Sequence, residues 1–259
     1  MQTNNQNGVE HDYKTIEAKP VKLKKDYVFF IQNPLFKMVS FFVVLLMKVL
    51  LYFGYGKLFR HVKVHGKKNL KYLKKDRFVL ISNHMHVFDA VWIGTVIFPK
   101  KLYVTMLQSN LGLPLMGPIL RVAGGIPIPE TKDHMVRFLG ELKTELSKKT
   151  PVLVMPEAAI KPYHAGIRKF LSGAFRFAID TDSKILPIVY TYRKPRSIFK
   201  FLFRKPWLDM HILEPVEPII GETKQQSLTL TKDYVHKLMS EHFNTHSEIK
   251  EEGYEKAGS

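Results

Sequence analysis

The rhythm of apolar and polar positions changes along the chain, and the elements follow from it. Pro34 to Gly56, "PLFKMVSFFVVLLMKVLLYFGYG", is the most apolar stretch. Beyond residue 60 short apolar runs alternate with amphipathic ones. Phe78–Ser82 ends in turn residues and reads as a buried strand, and Val87–Phe98 then reads as a helix. Leu102–Leu107 is strand-like, and "LGLPLMGPILRVAGG" carries the Pro and Gly punctuation of a loop and short helix. Apolar residues at 135, 138, 139, 142 and 146 stripe a helix over Met135–Lys148, with Asp133 as its expected cap. Val152–Met155 is a strand and Phe170–Ile179 a helix. Ile185–Tyr190 and Met210–Leu213 are strands, and Leu228–Phe243 is a last amphipathic helix. This alternation predicts an α/β fold, a mostly parallel sheet flanked by helices, preceded by an N-terminal membrane-associating helical segment. Sites in such sheets form at the carboxyl ends of strands, where Asn83–Asp89 and Pro156–Lys161 fall.

The apolar stretch is too far from the N-terminus for a secretory signal and lacks a small-residue cleavage site. A spanning helix needs about 20 mostly apolar residues. Met38–Phe53 is shorter and holds Lys48. A central lysine costs about 3 kcal/mol, against roughly 0.3 to 0.6 gained per Leu, Ile, Phe or Val. An interfacial or re-entrant helix is therefore expected in preference to a full span, and in preference to a soluble core helix, because basic clusters flank it and Tyr52 and Tyr55 suit a membrane interface. The expected organisation is a polar, poorly ordered leader over 1–25 and a membrane-associating segment over 26–60. A catalytic domain over 61–245 and a polar tail over 246–259 follow.

Composition narrows the partners. The chain has 259 residues, 45% hydrophobic, so a folded core is expected. Its net charge of +17 calls for an anionic partner. Much of that charge lies in "KPVKLKK" and in Lys57–Arg77, on either side of the apolar stretch. This arrangement suits an anionic membrane surface on the cytoplasmic face, and no finger or RNP-type motif supports nucleic acid. Cysteine is absent, which excludes disulfides and thiolate chemistry and fits a reducing compartment.

The candidate chemistry sits in "FVLISNHMHVFDA", Phe78–Ala90. On a continuous helix, residues five apart lie about 140° from one another. His84 and Asp89 meet only if His84 occupies the turn before a helix and Asp89 its first turn. The carboxylate then fixes one imidazole nitrogen and leaves the other free as a base for a hydroxyl nucleophile. The plainer alternative is an Asp89 that merely favours the helix N-terminus, beside an ordinary turn histidine. His86 completes an H-x-H pair but lacks a clear third metal ligand, so a position on the site's rim is expected for it, with no metal and no cofactor.

"NHMHVFDA" resembles the N-H-x-x-x-x-D motif of the glycerolipid acyltransferases, the family that includes 1-acylglycerol-3-phosphate acyltransferase. Three further blocks follow in order: "GGIPIPE" from Gly124, "VMPEAAIKPYHAGIRKFLSGAFRFA" around Pro156-Glu157, and "ILPIVY". The resemblance spans roughly residues 60 to 218. It implies that His84 is the general base and that Asp89 orients it. It also implies that Asn83, Gly125, Glu157, Lys161 and Arg168 lie on the substrate side. The implied reaction is attack of a lysophospholipid hydroxyl on an acyl thioester, from acyl-CoA or acyl-carrier protein. Lysophosphatidic acid is the first acceptor. A zwitterionic lysolipid or amino-acid lipid is the alternative, and a degenerate lipid-binding member of the fold is another. The family's third block commonly reads E-G-T-R where this chain has "EAAI", and an arginine is usual at Glu130. Two cations expected to hold a phosphate are thus missing, and Lys161 and Arg168 are the candidates to replace them.

Overall fold

The structure, a computed structural model, describes residues 19–196 and 205–250. Seven strands form one sheet: β1 (Lys63–His65), β2 (Phe78–Ser82), β3 (Tyr103–Leu107), β4 (Gly125–Ile128), β5 (Val152–Val154), β6 (Lys184–Arg193) and β7 (Trp207–Ile212). Their order is β1-β7-β6-β2-β5-β3-β4, and every pairing is parallel except β6 with β7. The sheet is therefore mostly parallel, as the alternation of elements predicts. β2 lies between β6 and β5 and is buried along its whole length. That position explains why its sequence is a continuous apolar run and not an alternating one.

Among the described residues the α-helices are α1 (Pro34–Met47), α2 (Asp89–Ile97), α3 (Met116–Val122), α4 (Lys132–Ser147), α5 (Gly173–Asp180) and α6 (Lys224–His246). α5 packs on β2, and α6 packs on β6 and α5. Asp133 is not the cap of α4. Thr131 holds that position, and Asp133 lies inside the first turn, where its charge still favours the positive helix end. α6 is longer than the apolar stripe suggests. Thr223 caps it through a bond from Gln226 N–H, and polar turns extend both ends.

α1 continues without a break into wider π-type turns over Lys48–Phe59, giving a helix of 26 residues, Pro34–Phe59. By length and composition it is the one helix among the described residues able to cross a membrane. The Lys48 charge that counts against a span has a partner, since its Nζ lies 4.9 Å from the centre of the Phe98 ring, an interaction that partly compensates it. The helix is inside out by soluble standards. Ser40, Tyr52 and Gly56 are buried against the protein, while Phe42, Leu46, Leu50 and Phe53 are exposed. An unpartnered apolar face of this size is the mark of a surface that meets lipid or another apolar partner.

Part of the expected leader is tied down. Lys19 N–H donates to Gly112, and the Val21 carbonyl accepts from Gln108. The Lys24 and Lys25 carbonyls meet His134 and Arg137 on α4. The expectation of disorder for residues 1–18 lies outside the described residues, as does that of a polar tail for 251–259. At the start of that tail, Ser247 is buried and bonds to Tyr192 N–H.

Candidate active site

The site begins where β2 stops. Asn83 is fully buried, and its side-chain amide acts as an extra peptide unit. Oδ1 accepts from Tyr190 N–H at 2.8 Å and Nδ2 donates to the Tyr190 carbonyl at 3.1 Å. The amide thus extends the β2–β6 ladder by one rung.

The chain then turns through His84, Met85 and His86 into α2, whose first residue is Asp89. Asp89 is completely buried, and three donors converge on its Oδ2. The N–H groups of Met85 and His86 each stand at 2.7 Å, and His84 Nδ1 at 3.3 Å. Burial pushes the Asp89 carboxyl up, opposed by the bonds from His84 and from the two backbone N–H groups. Three N–H donors on one oxygen demand an acceptor, which favours the carboxylate. Asp89 O⁻ then places the His84 proton on Nδ1 and leaves the Nε2 lone pair without a partner among the described residues. The His84 side chain is 21% exposed, in contrast to the fully buried Asp89 that holds its Nδ1. The turn-then-helix arrangement that the five-residue spacing requires is present.

Glu157, at the carboxyl end of β5, is the second strut. It is 5% exposed and accepts from His84 N–H at 3.3 Å, from Arg168 N–H at 3.1 Å and from Arg168 Nε at 3.0 Å. Arg168 Nη2 adds an ion-pair contact at 2.9 Å and also reaches the Ala159 carbonyl. Burial raises the Glu157 carboxyl, and Arg168 opposes that shift. Glu157 and Arg168 are brought to the site but are spent on each other and on the His84 turn, so Arg168 is not a free cation. Lys161 lies exposed on the same loop. Gly125 is not brought close. Through register it stands level with Val104, Leu153 and Leu80, three residues before Asn83 and separated from β2 by β5 and β3. It is instead a packing glycine, because a Cβ there would meet the Leu120 carbonyl at 2.7 Å. Glu130 is exposed.

His86 is not on the rim. It is 7% exposed, its ring stacks on Trp92 with centroids 4.7 Å apart, and its Nδ1 accepts from Phe88 N–H. Burial, then the charges of Arg60 and Lys205, depress its pKa to about 3, so it is neutral at ordinary pH. Trp92 in turn donates to the Leu51 carbonyl at 2.8 Å, and Tyr55 lies against both rings. This aromatic group joins the apolar helix to the first turn of α2. No pattern in the sequence marked Trp92, and Tyr52 and Tyr55, expected at a membrane interface, instead pack inward, Tyr52 buried and Tyr55 against His86 and Trp92. The Tyr190 hydroxyl, at the end of the "ILPIVY" block, donates to the Asp89 carbonyl.

Among the described residues, His65, Asp209 and His211 form one group with metal-ligand chemistry, their ligand atoms within 4.8 Å of one another. They lie on β1 and β7, apart from the end of β2, and Arg193 already holds Asp209.

A fully oriented imidazole at the carboxyl end of a parallel strand is suited to taking a proton from a bound hydroxyl. The acyltransferase family profile matches residues 61–191, about half the chain. The chain belongs to the acyltransferase family. No curated protein matches it. Its fold is similar to that of PlsC, the 1-acyl-sn-glycerophosphate (LPA) acyltransferase of Thermotoga maritima, with a TM-score of 0.50 and 16% identity over 83% of this chain and 97% of that one. At that identity the likeness is one of fold. In an acyltransferase the "NHMHVFDA" turn carries the motif histidine and aspartate, and here they are hydrogen bonded to each other.

Proposed function

We propose that this acyltransferase is a membrane-associated enzyme that moves a fatty acyl group from a thioester, acyl-CoA or acyl-carrier protein, to the hydroxyl of a lysophospholipid. Lysophosphatidic acid is its first acceptor and phosphatidic acid the product. The observation that carries the reading is the His84–Asp89 pair, fully buried on the aspartate side and partly exposed on the histidine side, with Nδ1 bonded to the carboxylate. His84 Nε2 takes the acceptor's hydroxyl proton as that oxygen bonds to the thioester carbonyl carbon. The carbon–sulfur bond breaks as the tetrahedral intermediate collapses, and the leaving sulfur takes the proton back from His84. Asp89 holds the ring's tautomer and stabilises the imidazolium formed along the way. Glu157 acts as a positioning residue, fixing the His84 backbone and the 157–168 loop together.

The exposed apolar face of Pro34–Phe59 supports membrane association, and the flanking basic clusters support the cytoplasmic face. The alternative of a zwitterionic lysolipid acceptor draws support from Glu130 and Ile160, which replace family arginines, and from the commitment of Arg168 to Glu157. The test is an acceptor screen with one labelled acyl-CoA held fixed and the products identified by mass. Labelled phosphatidic acid as the main product supports the first reading. Transfer only to lysophosphatidylcholine selects the second, and no transfer to any acceptor overturns the enzymatic reading.

A further inference from the structure

Beside the site lies a buried cation with no counter-ion. Arg60 is 2% exposed, and its Nε, Nη1 and Nη2 have no hydrogen-bond partner. The backbone holds it firmly, with its N–H on the Tyr55 carbonyl and its carbonyl accepting from Leu208 N–H. Its guanidinium carbon is 5.5 Å from the centre of the Tyr163 ring, and Lys205 Nζ is 5.5 Å from the same centre. Both cations are near enough to His86 to act on it electrostatically. No carboxylate of the described residues stands within ion-pair distance of Arg60.

Such a group is costly. A buried guanidinium normally has paired, satisfied nitrogens, and leaving all three bare opposes folding. Two cations around one tyrosine ring, without an acid, make a place whose missing component is an anion. Its position says which anion. Tyr163 N–H donates to the Met85 carbonyl, one residue from His84. Tyr163 also lies within the 157–168 loop, the segment lacking the usual arginine at Ile160. Arg60 itself caps the C-terminal end of the apolar helix.

We infer that Arg60, with Lys205 beside it, binds a phosphate group of a substrate next to His84, taking over from the arginines absent at 130 and 160. The inference rests on the acyl-transfer reading for its choice of ligand. The phosphate belongs to the acceptor or to the diphosphate of CoA, and a guanidinium serves either through paired charge-assisted bonds.

The experiment uses the full chain as wild type, Arg60→Met and Arg60→Lys, with His84→Ala as the reference for lost chemistry. Glycerol 3-phosphate and inorganic phosphate are the direct probes, read by thermal shift. The expected result is stabilisation of wild type by glycerol 3-phosphate, lost in Arg60→Met and partly kept in Arg60→Lys. Without ligand, Arg60→Met should melt at or above the wild-type temperature, since it removes an unpaired buried charge, whereas a purely structural arginine would lower it. In turnover, the KM of the substrate that supplies the phosphate should rise about tenfold to a hundredfold with little change in kcat. A rise for lysophosphatidic acid assigns the acceptor's phosphate, and a rise for acyl-CoA assigns the donor's. Equal protection of wild type and Arg60→Met by glycerol 3-phosphate, with both KM values unmoved, overturns the inference. If wild type transfers acyl groups to nothing, the acyl-transfer reading fails by itself, and the thermal shifts still decide whether Arg60 binds phosphate. Should Arg60→Met not fold, Arg60→Lys carries the test, because it keeps the charge and loses the fork.

Discussion

Replacing Asp89 by Asn separates the charge of this carboxylate from its shape. The Asn oxygen can take the Oδ2 position and still accept from Met85 and His86 N–H, so the turn into α2 is retained. The amide nitrogen then falls at Oδ1, which has no partner in the wild type. That leaves a buried donor unpaired, costing about 1–3 kcal/mol, which removal of a fully buried charge offsets. What disappears is the attraction between carboxylate and imidazolium at 3.3 Å. At an effective dielectric of about 20 that attraction is about 5 kcal/mol, an upper bound for a ring that is partly exposed. A neutral oxygen retains some of it, so a loss of about 2–4 kcal/mol is expected, or roughly 30- to 1000-fold in kcat/KM. Thiol release from acyl-CoA with lysophosphatidic acid as acceptor can be followed with a thiol-reactive chromogen, since the protein has no cysteine of its own to react. The melting temperature should stay within a few degrees of wild type. A loss under threefold in a folded variant would refute the orienting role. A collapse of the melting temperature would show that the carboxylate serves the fold first.

Gly56→Leu should uncouple the apolar helix from α2, because a Cβ there would meet Trp92 Nε1 at 2.9 Å, and a cost of about 1–3 kcal/mol should appear in thermal melts together with lower turnover. Ala158 has φ 63°, in the left-handed region and where the family commonly has glycine, so Ala158→Gly should stabilise the protein by about 1 kcal/mol, read from denaturant unfolding, with activity kept. His86, His211 and His242 have pKa values pushed down to about 3, 3 and 4, by burial first in each case. Their unfolded forms bind protons near pH 6.5 and their folded forms do not, so their contribution is complete above pH 6.5 and is lost as pH falls from there to about 4 for His242 and about 3 for His86 and His211. Melts against pH should show this acid-side decline, steepest at about 1.4 kcal/mol per pH unit for each histidine, and His211→Gln should flatten it.

How much of this was legible in the sequence depended on how local the cause was. The strand, turn and helix around His84 could be read because a β2 flanked on both sides must be apolar, and because five residues join His84 to Asp89 only through a turn. Glu157 could be placed at a strand end, but its pairing with Arg168 depends on a loop that folds back over 11 residues, which no periodicity reports. Arg60 sits in a run of basic residues, where a solvated face is the ordinary expectation, and only burial sets it apart. The sequence counts Lys48 as an uncompensated charge in the apolar stretch, because the Phe98 ring that meets it lies 50 residues away. The antiparallel direction of β7 likewise depends on which edge of the sheet the chain returns to, a tertiary outcome.

The proposed role of His84 is that of the base for acyl transfer to a lysophospholipid at a membrane. It is tested most directly by measuring labelled acyl transfer from acyl-CoA to lysophosphatidic acid in anionic vesicles, with wild type and His84→Ala at equal bound protein. Wild type should form phosphatidic acid, and His84→Ala should lose about 10² to 10⁴ in rate, with vesicle binding and melting temperature unchanged. Near-normal turnover by a folded, membrane-bound His84→Ala protein would contradict it.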